Sequence, residues 1–229
     1  MFKLMKLEIR KFRLNRYLLH VIVINMVLIG MLSVMNLVYS QEIEIDLHFW
    51  SSQFILIEAL IKAVFIVFAA ILIAKLIISE YIKNTMSIMF MYPISRKKII
   101  ASKLLLIVIF TVIAMLVSQI IISLAVILLN HLFGFIEEDL TGETVRNTVK
   151  LFFQSTVFTA GICMIPLFFG MWKKSILYTI ISGVVLMFFL SANNGMISIF
   201  SITPIPLILA LSGIFVAYLT IGSVEHADI

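Results

Sequence analysis

Residues 175–224 read SILYTIISGVVLMFFLSANNGMISIFSITPIPLILALSGIFVAYLTIGSV, and none of these 50 residues is Asp, Glu, Lys or Arg. A soluble domain presents charge over its whole surface. A stretch of this length without any belongs in lipid, where apolar side chains face outward as well as inward. One helical crossing of ~30 Å of hydrocarbon needs about 20 apolar residues at 1.5 Å each. The stretch is long enough for two, and Ala192-Asn193-Asn194-Gly195 with Thr203-Pro204-Ile205-Pro206 interrupts it with turn-forming residues. It predicts two passes, Ser175–Ser191 and Ile205–Gly222, the first of them short at 17 residues.

Working back toward the N-terminus, four more apolar runs appear: Tyr17–Tyr39, Phe54–Ser79, Leu104–Leu129 and Val149–Met171. The fourth and fifth runs are parted only by Trp172-Lys173-Lys174. The 229 residues are 62% hydrophobic and 13% charged, with a mean hydropathy of +1.18. The expectation is an all-α polytopic membrane protein, a single transmembrane domain over 1–229 with six transmembrane helices. No cleavable leader is evident, and the first run reads as a retained span.

Loops rich in Lys and Arg stay on the cytoplasmic side. Six basic residues precede the first run (Lys3, Lys6, Arg10, Lys11, Arg13, Arg16), five lie between the second and third (Lys83, Arg96, Lys97, Lys98, Lys103), and Lys173 and Lys174 lie between the fourth and fifth. The alternate connections are acidic: Glu42, Glu44 and Asp46 in the first, Glu137, Glu138, Asp139 and Glu143 in the third. Thirteen of the 17 basic residues thus fall on one side and only Arg146 and Lys150 on the other, which predicts a multi-pass protein of the cell membrane with both termini cytoplasmic. Residues 1–16 alternate Phe2, Met5, Ile9 and Phe12 with Lys3, Lys6, Arg10 and Arg13 at helical spacing. That pattern predicts an amphipathic helix lying in the interface, its lysines and arginines toward anionic headgroups; a solvated basic tail is the plainer alternative.

The net charge of +5 does not point to nucleic acid, because the basic residues sit in short segments between apolar runs rather than on a folded polar face. The lone Cys163 excludes an internal disulfide, and the scattered His20, His48, His131 and His226 predict no metal site. No Gly-x4-Gly-Lys-Ser/Thr phosphate loop, Gly-x-Ser-x-Gly elbow or His-Glu-x-x-His pair occurs. Connections shorter than about 25 residues leave no room for a nucleotide-binding domain. The chain is therefore read as no enzyme and as holding no cofactor of its own. Inside the spans, Glu58 and Lys62 stand four apart on one helix face and form a candidate intramembrane polar pair, either self-neutralised or lining a polar path. Asn25, Asn36, Gln119 and Gln154 read as interhelical hydrogen-bonding residues. Ala70-x3-Ala74 and Gly213-x3-Ala217 would permit close helix approach.

The connection between the second and third runs carries the most information. Glu80-Tyr81-Ile82-Lys83-Asn84-Thr85 leads into Met86, Met89 and Phe90 at helical spacing, then Tyr92-Pro93-Ile94-Ser95-Arg96, and Lys103 opens the next run. A short helix over 86–90 would end ahead of Pro93. Its Met and Phe side chains suit insertion into a groove of a cytosolic partner. The pattern Glu80, Thr85, Pro93, Ser95, Arg96 and Lys103 resembles that of the permease subunits of type 2 ABC exporters, with Asn84 where that family commonly has glycine. The resemblance implies that 80–103 is a cytoplasmic coupling segment docking on two copies of a separate ABC ATPase, which would bind the ATP and Mg. Glu80, Asn84, Thr85, Met86, Met89, Phe90, Pro93, Ser95 and Arg96 would then be the coupling residues. It further implies a second permease chain, identical or paralogous, within the bilayer, and Met196–Ile202 dipping into the outer leaflet. The small size is similar to exporters conferring resistance to antimicrobial peptides of the bacitracin and lantibiotic type. Two other readings remain open on the residues alone: an ion-coupled carrier or membrane-embedded enzyme built on Glu58, Lys62 and His20, and a non-transporting anchor for a cytosolic regulator.

Overall fold

The computed structural model describes residues 15–39, 49–82, 96–134, 136, 138–191 and 204–223, and these are helical apart from short connecting stretches. In chain order they form α1 (Asn15–Tyr39), α2 (Trp50–Ile73), a π-helical turn (Ala74–Ile78), α3 (Ser79–Ile82), α4 (Arg96–Phe133), α5 (Gly142–Ile162), α6 (Ile165–Lys173), α7 (Ile176–Ser191) and α8 (Pro204–Ser223). Five helical stretches are long and apolar enough to cross a membrane: Tyr17–Leu37, Trp50–Ile82, Lys97–Phe133, Gly142–Lys173 and Ile205–Gly222. The fifth predicted span is the one that falls short. At 16 residues, α7 rises only about 24 Å against ~30 Å of hydrocarbon.

The described residues divide into two compact units, one of those within 15–62 and 113–156, the other of those within 63–112 and 157–223. In the first, α1 buries a single stripe, Val21, Asn25, Leu28, Leu32 and Asn36, and exposes Leu19, Val23, Met26 and Val27. The stripe repeats at about 3.6 residues, as for a helix with one face on protein and the rest in lipid. The packing of α1 on α2 includes a polar contact: Gln53 Nε2 on α2 donates to Asn36 Oδ1 on α1 at 2.6 Å. At the start of α2 the Trp50 N–H donates to the Glu138 carboxylate (3.2 Å) and its indole Nε1 to the Glu138 carbonyl (2.7 Å). A carboxylate at a helix N-terminus satisfies an amide with no intrahelical partner and complements the dipole.

In the other unit Ile66, Ala69, Ile162, Cys163, Leu190 and Ala210 form one buried cluster. The helices there approach backbone to backbone at glycine. A Cβ added to Gly161 would lie 2.8 Å from the Ala210 backbone, and one added to Gly183 would lie 2.5 Å from Ala70 Cβ. A Cβ on Gly213 would run into the Gly161 carbonyl. Small residues at such crossings let helices pack closely where lipid supplies no hydrophobic drive. Between α5 and α6 the helical ladder breaks at Cys163-Met164, where Met164 N bonds Gly161 O at 3.0 Å. Pro166, near the start of α6, lacks the amide needed to continue the ladder.

Candidate functional site

Two buried ion pairs organise the polar interior. The first lies within the unit holding 15–62 and 113–156. Lys62 Nζ donates to Glu58 Oε1 at 3.0 Å and to Oε2 at 3.3 Å, one turn apart on α2. The Ser155 hydroxyl on α5 donates to the same Glu58 oxygen. Both charged side chains are buried, Glu58 at 6% and Lys62 at 4% exposure. The carboxylate thus meets its charge and its hydrogen-bond needs without water, as a buried pair requires. On α4 of this unit Gln119 Oε1 accepts from Thr156 Oγ1 at 3.3 Å. Asn25 is also buried, but its Oδ1 finds no protein partner among the described residues, and Gln154 is half-buried.

The second pair lies within the other unit and brackets the connection 83–95. Lys103 is fully buried, two turns inside α4, and donates to the Glu80 carboxylate of α3. It also donates to the Leu76 carbonyl at 3.2 Å. That carbonyl belongs to the π turn, whose register is shifted by one residue. Ser79 N bonds Ala74 O instead of Lys75 O, and Ser79 Oγ takes the Lys75 carbonyl at 2.5 Å. The extra residue rotates α3 relative to α2 and presents Glu80 to α4. π turns of this kind recur at functional positions.

Among the residues read as coupling groups, Glu80 is therefore buried and paired with Lys103, while Arg96 opens α4. Asn84, Thr85, Met86, Met89, Phe90, Pro93 and Ser95 lie outside the described residues, as do 1–14 and Met196–Ile202; Asn15 and Arg16 open α1. Reading the sequence did not find Ser155, Gly161 or Gly183. It named Glu80 and Lys103 without joining them. Their signal is that Glu80 is the first charge after the second apolar run and Lys103 the last before the third.

These features define a multi-pass α-helical membrane protein in which Glu58 pairs with Lys62 and Glu80 with Lys103 within the chain. Residues 4–191 match the family model described as ABC-2 family transporter protein, and the chain belongs to that family. Its membrane components typically hydrolyse no ATP themselves and work with a separate ATPase. The chain is 36% identical over 227 residues, 98% of its length and 99% of the relative's, to a Bacillus subtilis (strain 168) protein described as "Uncharacterized protein YcbO". No solved structure matches.

Proposed function

We propose that this chain is the permease subunit of an ATP-driven exporter, worked through the segment 80–103 by a separate cytosolic ATPase. It would cross the membrane six times with both termini cytoplasmic, α7 serving as the short fifth pass, and would pair with a second permease chain above two ATPases. The observation that carries this reading is the Glu80–Lys103 bracket. A buried ion pair joins α3 and α4, the two helices that flank the connection. A push on the connection is then delivered to two spans as one body. The Glu58–Lys62 charges are neutralised by each other and capped by Ser155. That suits a hydrophobic or amphipathic cargo such as an antimicrobial peptide better than a hydrophilic solute.

The test is co-purification with a co-expressed ABC ATPase in mild detergent. The double change M89E/R96E is expected to leave the chain in the membrane and to release the ATPase. An intact, nucleotide-hydrolysing complex carrying both changes would overturn the docking role.

A further inference from the structure

Where α6 ends and α7 begins, the chain places a lysine in a conformation that lysine disfavours. Lys174 caps α6 with φ 47° and ψ 42°, its N–H bonded to Gly170 O, and it is the one non-glycine residue of positive φ among those described. Helices commonly end on a residue in this left-handed region, which is normally glycine because a Cβ is strained there. A strained residue at such a position points to a use for its side chain.

The side chain has a definite setting. Lys174 Nζ lies 5.5 Å from the ring centre of Tyr81 on α3. Its neighbour Lys173 lies 5.1 Å from the Trp172 ring and 5.9 Å from that of Tyr178 on α7. Aromatic faces hold the two ammonium groups in place without neutralising them, and among the described residues neither has a carboxylate partner. The cluster stands at the ends of three apolar stretches, Trp50–Ile82, Gly142–Lys173 and Ile176–Ser191. Phe168, Trp172, Leu177 and Tyr178 beside it are all exposed. Two fixed cations at the membrane boundary, next to an apolar flank, match a ligand with an anionic head and acyl chains.

We propose that Lys173 and Lys174, ordered by Trp172, Tyr178 and Tyr81, form a binding site for the headgroup phosphate of an anionic glycerophospholipid. The lipid's chains would lie along Phe168 and Leu177. Basic pockets between helix ends bind such headgroups, and a surface lysine contributes roughly fivefold to affinity for an anionic surface. The site stands on this geometry and does not depend on the transport reading.

The full chain in phosphatidylcholine vesicles, doped with either dibrominated phosphatidylglycerol or dibrominated phosphatidylcholine at equal mole fraction, reports occupancy through tryptophan quenching. Quenching by the brominated phosphatidylglycerol is expected to exceed that by the phosphatidylcholine, with an apparent affinity at least about fivefold higher. K173Q/K174G should abolish the excess. K174G alone removes the left-handed strain, so it should weaken the excess while keeping Tm at or above that of the parent chain. Equal quenching by the two lipids, or an excess that survives K173Q/K174G, would overturn the site. So would a K174G chain that loses Tm together with the preference, since Lys174 would then be structural. Soluble glycerol phosphate at the same concentration is expected not to displace the lipid; full displacement would assign the site to a free phosphate compound instead.

Discussion

At the scale of single residues, the energetics turn on charges that have left water. Lys103 has no exposed surface and Glu80 is 6% exposed. Removing one partner of such a pair costs about 3–5 kcal/mol, because the other is left buried and unpaired, whereas replacing both by neutral groups costs far less. Lys103→Met is therefore expected to lower Tm by roughly 12 °C, at about 2–4 °C per kcal/mol for a chain of this size. The double variant E80Q/K103M should recover most of that loss. Scanning fluorimetry in detergent reads both, and a double variant as unstable as the single one would show that the carboxylate and ammonium are not partners. The two ion pairs differ in how far the sequence discloses them. Glu58 and Lys62 are four apart, and helix geometry alone puts them side by side. Glu80 and Lys103 are 23 residues apart, and only the packing of α3 on α4 brings them together. Ser155 was illegible for the same reason: a serine in an apolar run has many backbone carbonyls to bond, and nothing local selects Glu58.

At the scale of helices, hydropathy located the apolar middle of each element and missed the polar ends. The third run, Leu104–Leu129, is the interior of a 38-residue helix that begins at Arg96. Its first turns carry Arg96, Lys97 and Lys98, and a polar turn of helix looks like a loop to a hydropathy argument. The same holds for α5, which starts at Gly142 and carries Glu143, Arg146 and Lys150 in its opening turns. The π turn leaves no compositional mark at all, since it is one residue of extra register rather than a kind of residue. Its consequence is nonetheless specific. Deleting Lys75, the exposed member of the turn, would let the ladder close as an α-helix. Relative to α2, Glu80 would then swing by about 100°, one residue's rotation at 3.6 per turn, away from Lys103. The deletion is expected to lower Tm about as much as Lys103→Met, and the two changes together should cost little more than either alone, as for sites sharing one interaction. Full additivity in the combined variant would mean that the π turn does not serve the ion pair.

At the scale of the whole molecule, the asymmetry of charge predicts which way the helices run through the bilayer. In the proposed six-pass arrangement thirteen basic residues would lie on the side of the 83–95 connection, with Arg146 and Lys150 the two on the other. Reversing that orientation would require the basic connections to cross the membrane and the acidic ones to stay behind, against the bias that sets topology. The length of α4 agrees with a helix that emerges from the membrane: 38 residues rise about 57 Å, well beyond ~30 Å of hydrocarbon, so its first turn can stand outside the bilayer. The chain is well suited to a direct test, because its one native thiol, Cys163, is buried and should react slowly with a charged reagent. Cysteines placed at Lys98 and Glu143, both exposed positions, should behave oppositely toward a membrane-impermeant maleimide. On intact cells Glu143→Cys is expected to be labelled and Lys98→Cys to remain unlabelled until the membrane is permeabilised. The transport reading requires this result, since a soluble ATPase reaches only what faces the cytoplasm. If Lys98→Cys were labelled from outside, the bracket of Glu80 and Lys103 would face away from any such motor, and the pair would be left with a structural role alone.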